Sequence, residues 1–269
     1  MTGSPGGPAT VSSAYSATGA AWQQGPGRIY DRLADELVAR CPGLGRGTLV
    51  LDLGAGTGAA SRAAAARGAR VVAVDASAGM LLTGAGSRPP AVAGDALALP
   101  FVGGAFGAIV AAFSLNHVDD PAVALAEAAR VLAPGGGLVA SAYAEDDTHP
   151  AKDACESAAA AAGWTPPTWY PTLRAEAVPR LATVDRATAA ASDAGLAGAS
   201  AEAVRVPLPD LGPEDLVAWR LGMAQIAPFL ATLAEPERDA VRADAVRRLG
   251  DDPPVLVRSF IVICWQAPT

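Results

Sequence analysis

Between residues 50 and 60 the chain reads VLDLGAGTGAA: an apolar run, Asp52, then glycines at 54, 56 and 58. Glycines at alternate positions let a backbone turn tightly and lie close to a ligand. A helix opening after them presents unpaired N–H groups at its positive end. The chemistry of such a stretch is binding. A second acid, Asp75, ends the next apolar run, RVVAVDAS (70–77), 23 residues after Asp52, and a third, Asp95, stands in GDALALPF (94–101). Groups able to move a proton are few. His117 and His149 are the only histidines; His117, with an ordinary pKa near neutrality, is the candidate general base, and Asn116 beside it can hold a substrate oxygen. His149 sits in the polar stretch DDTHP. Cys41, Cys155 and Cys264 are far apart and no CxxC exists. That spacing makes neither a zinc site nor a disulfide framework, so no metal is expected. The cysteines read as small buried hydrophobes in a reducing compartment.

These residues need a scaffold, and the apolar patterning supplies one. Continuous apolar runs predict strands at 48–53, 70–77, within 90–101, at 106–115 and at 138–145. Helices are expected at 28–40, with Ile29, Leu33, Leu37 and Val38 on one stripe, at 61–69, and at 121–137 with Pro121 near its start. Strands alternating with helices predict a parallel sheet covered on both faces and wound in both directions. After residue 145 the rhythm changes. Residues 151–163 and 172–195 read as helical, 202–208 as a sixth strand, 212–250 as helix broken near Pro228 and Pro236, and 255–266 as a last strand. The expected organisation is a flexible tail of small residues at 1–13 and one domain over 14–269. In it, 28–145 form the core and the helical segments 146–200 and 210–252 cover the mouth of the sheet.

Composition narrows the function classes. The 269 residues are 51% hydrophobic with a formal net charge of −7, and Lys152 is the only lysine. No basic stripe suggests nucleic acid. No apolar run is long enough to cross a membrane, and the first residues lack the pattern of a signal peptide. A cytoplasmic protein without nucleic-acid or membrane partners is expected.

Two ligands fit the glycine stretch. As Gly54, Gly56 and Ala59 it meets the dinucleotide fingerprint G-x-G-x-x-G/A. Taken with its strand as D-x-G-x-G-x-G, it resembles motif I of the class I S-adenosylmethionine-dependent methyltransferases. Asp75 does not discriminate, since an acid after the second strand binds ribose hydroxyls in both. Asp52 does: a carboxylate two residues before the first glycine repels a pyrophosphate and suits the ammonium of a methionine moiety. GDALALPF resembles the family's motif after the third strand. The run from FGAIVAAFSLNHVDDPAVAL to EAARVLAPGGG resembles its fourth strand, following helix and glycine-rich turn. The resemblance, to small-molecule methyltransferases of the ubiquinone/menaquinone-biosynthesis type, covers residues 14–145 closely and the last third in outline.

What the resemblance implies is specific. The fold is a Rossmann-like, seven-stranded, mostly parallel sheet with an antiparallel final strand and helical lid insertions. Gly54 offers its carbonyl to the cofactor's ammonium, Asp52 helps by charge or through water, and Ala55, Gly56 and Gly58 lend backbone. Asp75, followed by Ala76, takes the ribose. Asp95 accepts from the adenine amino group, the Ala96 N–H meets the ring, and Met80 packs on it. Phe113 lines the pocket, Tyr15 covers the cofactor with Trp22 nearby, and Arg28, 24 residues before Asp52, pairs its carboxylate. Trp164, Trp169, Tyr170 and Trp219 suggest an apolar acceptor pocket. The reaction is methyl transfer from S-adenosylmethionine to a small molecule; by analogy of fold the acceptor is a bacterial secondary metabolite. An in-line displacement with a neutral leaving group needs alignment and a dry pocket more than a catalytic triad. Two alternatives stand beside it: a protein that uses bound S-adenosylmethionine for a non-methylating cyclisation or rearrangement, and an NAD(P)-dependent oxidoreductase. The acceptor, the atom methylated and the choice between monomer and homodimer are left open.

Overall fold

The computed structural model describes residues 10–269. Of the tail expected at 1–13, residues 1–9 lie outside the described residues. The boundary moves, because Thr10 already caps a helix, α1 (Val11–Ser16), in a reciprocal capping box with Ser13. A second short helix, α2 (Gly19–Gln24), and α3 (Pro26–Val38) follow. The expected stripe of α3 is buried: Ile29, Leu33, Leu37 and Val38 are each at most 2% exposed. Each such side chain contributes on the order of 1.5–3 kcal/mol.

The sheet contains β1 (Leu49–Leu53), β2 (Arg70–Asp75), β3 (Ala91–Ala93), β4 (Phe106–Ala112), β5 (Leu132–Tyr143), β6 (Ser200–Leu208) and β7 (Leu256–Gln266). Their order is β3-β2-β1-β4-β5-β7-β6, and β7 runs antiparallel to both β5 and β6 while the other pairs are parallel. Strand direction alternates side chains between two cores. Val50, Ala108, Val110, Phe260 and Val262 enter the layer with α3 and α4 (Ala59–Ala66). Leu51, Leu53, Ile109, Ile261 and Ile263 enter the layer with α6 (Pro121–Val131) and α9 (Val184–Asp193). Because both faces are covered there, the inner strands β1 and β4 are apolar almost throughout. The order of strands reverses between β1 and β4, so their carboxyl ends leave a crevice there.

Local signals explain where the elements depart from expectation. The chain from residue 132 pairs with β4 through a bulge, so β5 starts earlier than 138 and α6 stops at Val131. A helix not expected at 78–84, α5 (Ala78–Gly84), is capped by Ser77, whose Oγ accepts from the Met80 N–H at 3.3 Å. The long helix expected at 172–195 is broken into α8 (Trp169–Thr172), a π-turn at Leu173–Ala177, a 3₁₀ turn at Val178–Leu181, and α9, which Thr183 caps afresh. After α7 (Pro150–Ala161) and β6, the helical segment expected at 212–250 is divided as expected near Pro228 and Pro236, into α10 (Pro213–Leu221), α11 (Ala227–Leu230) and α12 (Glu235–Leu249). Pro228 and Pro236 sit in the first turns of α11 and α12, where the missing N–H costs nothing. Among the described residues no helix is long and apolar enough to cross a membrane.

The N-terminal helices are pressed onto α5 beside the crevice. A Cβ on Gly79 would stand 2.2 Å from the Ser16 carbonyl oxygen, so only glycine admits that approach. Gly54, the first residue after β1, is constrained twice. Its φ of +73° is left-handed, and a Cβ would meet the Ser114 Cβ at 2.2 Å. Gly54→Ala should therefore destabilise the fold by about 2–4 kcal/mol through backbone strain plus overpacking. Gly45→Ala, at a glycine with open space around it, should change stability by less than about 0.5 kcal/mol. Urea unfolding of the pair checks this; equal midpoints would refute it.

Candidate active site

The crevice is built from the glycine turn and the acid that anchors it. The N–H groups of Gly54 and Ala55 both donate to the Val74 carbonyl, at 2.8 and 3.0 Å, tying the turn to β2. One residue further along β2, the Asp75 carboxylate accepts from the Gly56 N–H through Oδ2 and from the Ser77 N–H through Oδ1, both at 2.7 Å. Burial pushes the Asp75 pKa up, and these two N–H groups oppose the shift. Each oxygen keeps lone pairs for a further donor. Asp52 is 1% exposed and accepts from the Ser61 hydroxyl at 2.6 Å. Burial raises its pKa to about 6, with Ser61 opposing.

Tyr15, Asp52, Gly54, Ala55, Gly56, Asp75, Ala76, Met80, Asp95, Ala96 and His117 come together in the walls of this one crevice. Asp95 is exposed, and its Oδ1 accepts from the Leu97 N–H at 2.9 Å, while its Oδ2 has no donor among the described residues. Val11, Ser12, Trp22, Tyr30 and Ser114 also line the crevice. Apart from Trp22 none stands out in sequence, because α1 reaches the site only through its packing on α5.

Three expected residues are elsewhere. Arg28 pairs with Asp215 at 2.5 Å on the surface, its side chain 62% exposed. Among the described residues no arginine or lysine lines the crevice, so a ligand carboxylate there would meet hydroxyls and backbone N–H groups instead. Gly58 caps α4 with φ +91°, and its open side faces Arg88, not the crevice. Phe113 is 5% exposed and belongs to an aromatic core behind the crevice, stacked on Tyr143 with centroids 4.6 Å apart. It contributes through its backbone. Phe113 adopts φ +54°, costly for a residue with a Cβ. The kink is held by its N–H donating to Ser141 Oγ at 3.1 Å and by Ser114 Oγ donating to the Leu53 carbonyl at 2.7 Å. Strain held at the switch point of the sheet is a mark of function.

At its inner end the crevice meets a second cavity of about 590 Å³, and the two share Tyr15, Tyr30 and His117. Tyr15 Oη lies 3.3 Å from His117 Nε2. Burial pushes the Tyr15 pKa up and lowers that of His117 to about 4, so both are neutral at physiological pH. Trp169, Tyr170 and Trp219 line the second cavity as expected, but Trp164 is packed away, its Nε1 donating to the Gln225 carbonyl at 2.9 Å. The cavity is not apolar. Arg258, 2% exposed, makes two 2.9 Å bonds to Asp147, which also pairs with Lys152 at 3.0 Å. Arg220 pairs with Glu156 and donates to Tyr170 Oη at 2.9 Å. His149 is structural: its Nδ1 accepts from the Ala151 N–H at 3.2 Å while its Nε2 faces the Pro254 carbonyl at 2.9 Å. The Cys41 and Cys155 thiols, pushed up to about 12 by burial, carry no nucleophile.

Comparison with known proteins agrees with this architecture. Residues 51–140 match the family model described as Methyltransferase domain. Over 135 residues, 49% of this chain and 55% of the relative, the sequence is 42% identical to the demethylmenaquinone methyltransferase of Renibacterium salmoninarum. The chain thus spans about half the length of the curated relatives it matches. In structure it is similar to a putative methyltransferase from an antibiotic biosynthesis pathway of Anabaena variabilis, with TM-score 0.58 and 18% identity over 86% of this chain and 96% of that one. It is also similar to Haemonchus contortus phosphoethanolamine N-methyltransferase 2, solved with phosphomonomethylethanolamine and S-adenosylhomocysteine, with TM-score 0.55 and 18% identity over 88% and 53%. The sheet order and these likenesses give the chain the Rossmann-like fold of class I methyltransferases, and within it residues 51–140 match a methyltransferase domain.

Proposed function

We propose that the protein transfers a methyl group from S-adenosylmethionine, bound in the crevice, to a small molecule bound in the second cavity. The observation that carries this reading is the meeting of two differently built cavities at Tyr15 and His117. The crevice residues suit the cofactor. Asp75 can accept from ribose hydroxyls, the free Oδ2 of Asp95 from an adenine amino group, and Met80 can pack on the ring. The Gly54 carbonyl and the Asp52 carboxylate suit an ammonium. S-adenosylmethionine supplies a methyl group on a sulfonium, with a neutral thioether as leaving group. The work left to the chain is to align two ligands and exclude water. Tyr15 and Trp22 close the crevice, and Asn116 and His117 face the acceptor side.

His117, expected as a general base, is better suited to positioning. With its pKa near 4 it is unprotonated at neutral pH but too weak a base to take a proton from a high-pKa acceptor. The relatives named demethylmenaquinone methyltransferase support methyl transfer over hydride transfer, as does a carboxylate in the wall where a pyrophosphate would lie. A bacterial secondary metabolite as acceptor belongs to this proposal and to no finding above.

The direct test is incubation with S-adenosylmethionine carrying a labelled methyl group and a bacterial metabolite extract, read by mass spectrometry. A labelled product heavier by CH₂ is expected; cofactor binding with turnover to an unlabelled product would favour a cyclisation or rearrangement. Asp75→Ala should weaken S-adenosylhomocysteine binding by about 1–3 kcal/mol, the worth of the charge-assisted bonds removed, and calorimetry with unchanged affinity would remove Asp75 from the ribose site. Asp52 gives a pH signature. With a folded pKa of about 6 it is ionised at pH 7 and mostly protonated at pH 5. Affinity for the cationic amino-acid moiety should therefore fall by up to about tenfold over that interval. Asp52→Asn should flatten the dependence; a wild-type affinity constant from pH 7 to 5 would sink the ammonium assignment.

A further inference from the structure

Seven buried side-chain polar atoms among the described residues have no hydrogen-bond partner, and all seven belong to residues that line the second cavity. Four are donors: Arg220 Nε, Arg258 Nη1, Trp169 Nε1 and Trp219 Nε1. Asn116 Oδ1 is an acceptor, and His117 Nδ1 and Tyr143 Oη can serve either way. Folded proteins keep few such atoms, because each costs about as much as a lost hydrogen bond. Here they are concentrated around one space; of the seven residues only His117 also lines the first crevice. A wall so rich in unused donors is a recognition surface short of its acceptor.

Charge points the same way. The enclosed cations are Arg258, Arg220 and Lys152, with side chains 3%, 7% and 26% exposed. The enclosed anions are Asp147 and Glu156, at 5% and 28%. Asp147 serves two of the three cations, Arg258 and Lys152. The other charged lining residues are on the rim: Glu145 is paired outward with Arg186, and Asp153 and Arg174 are exposed and of opposite sign. The interior thus holds one positive charge more than its acids neutralise. The Arg258 guanidinium lies between two aromatic faces, 4.1 Å from the Tyr143 centroid and 4.8 Å from that of Trp219. This fixes its orientation and takes none of its N–H groups.

We propose, resting on the methyl-transfer reading, that the acceptor is a compact organic carboxylate, its anionic oxygens set against Arg220 and Arg258 and its body between Trp169, Tyr170 and Trp219. One surplus positive charge matches a carboxylate; a phosphate monoester brings nearly two negative charges. An uncharged quinol with a long isoprenoid chain would leave the one surplus positive charge uncompensated and would need an apolar channel, whereas these walls carry five charged groups. About 590 Å³ suits a drug-sized molecule.

The test starts by saturating the protein with S-adenosylhomocysteine. Failure at that step would count against the methyl-transfer reading itself and would be seen before any acceptor is added. Calorimetric titrations then compare 4-hydroxybenzoate and 1-naphthoate with their uncharged amides, with phenyl phosphate and with a geranylated demethylnaphthoquinol. We expect carboxylates to bind at least tenfold more tightly than the matched amides. Arg258→Lys, which keeps the charge and loses the fork, should cut that preference to less than threefold with S-adenosylhomocysteine affinity unchanged. Trp219→Phe, which removes an unpartnered N–H and part of the ring that Arg258 lies over, should weaken the carboxylate three- to tenfold; it keeps the test open if the arginine variant does not fold. The proposal is overturned if amides bind as well as acids, if the phosphate or the neutral quinol binds more tightly, or if no carboxylate binds at millimolar concentration while S-adenosylhomocysteine does.

Discussion

The site depends on one carboxylate held by two backbone N–H groups. Asp75 stands at the end of β2 and accepts from Gly56 in the turn after β1 and from Ser77 at the start of α5. It therefore joins the end of β2, the turn after β1 and the start of α5 at one side chain. Its position follows from the register: Leu53 pairs with Val74, so the residue after Val74 falls level with the turn after Leu53. Burial alone would favour the protonated acid. The N–H groups favour the charged one, and the charged acid is the form that can accept from a ligand's hydroxyls. Holding the turn and offering a binding group are thus one function of the same side chain.

A second constraint separates the two cavities. Tyr15 comes from α1 and His117 from the turn after β4, and their contact spans 102 residues of sequence. It can form only because β4 ends in a strained kink at Phe113, held from below by Ser141 and from the side by Leu53. The aromatic cluster of Phe113, Tyr30, Tyr143 and Phe260 beneath that kink is a rigid floor. The partition stands on a packed core, while the segment that closes the crevice from above, α1, is a short helix at the edge of the molecule.

Burial tunes the titrating groups in a consistent direction. It holds His117 neutral, holds the Tyr15 hydroxyl protonated and raises Asp52 toward neutrality. The junction of the two cavities is therefore poor in mobile protons. The enclosed charges are concentrated further out, around Arg258, Arg220 and Asp147, where they can orient a ligand without taking part in bond making. A displacement that needs alignment in a dry space is well served by that separation.

Much of the frame was legible in the sequence. The glycines at 54 and 56, the acids at 52, 75 and 95, and the alternation that makes a two-sided sheet are local signals, carried by turn chemistry and by the period of apolar residues. That the sheet is wound in both directions followed because parallel crossovers have one hand; the order of its seven strands came from the structure. Spacing could not say which way a residue faces. Arg28 stands at the expected distance before Asp52 yet turns outward to Asp215, and Phe113 serves through its backbone angle, not its ring. Pattern also read Trp169, Tyr170 and Trp219 as an apolar pocket. Only the tertiary structure brings Asp147 against Arg258, 111 residues away, and Glu156 against Arg220, 64 away. A contact between distant segments is fixed by how whole layers pack, and neither residue type nor local period encodes it. The sequence by itself therefore determined the fold and the cofactor crevice, and the packing of the last third onto the sheet decided the character of the second cavity.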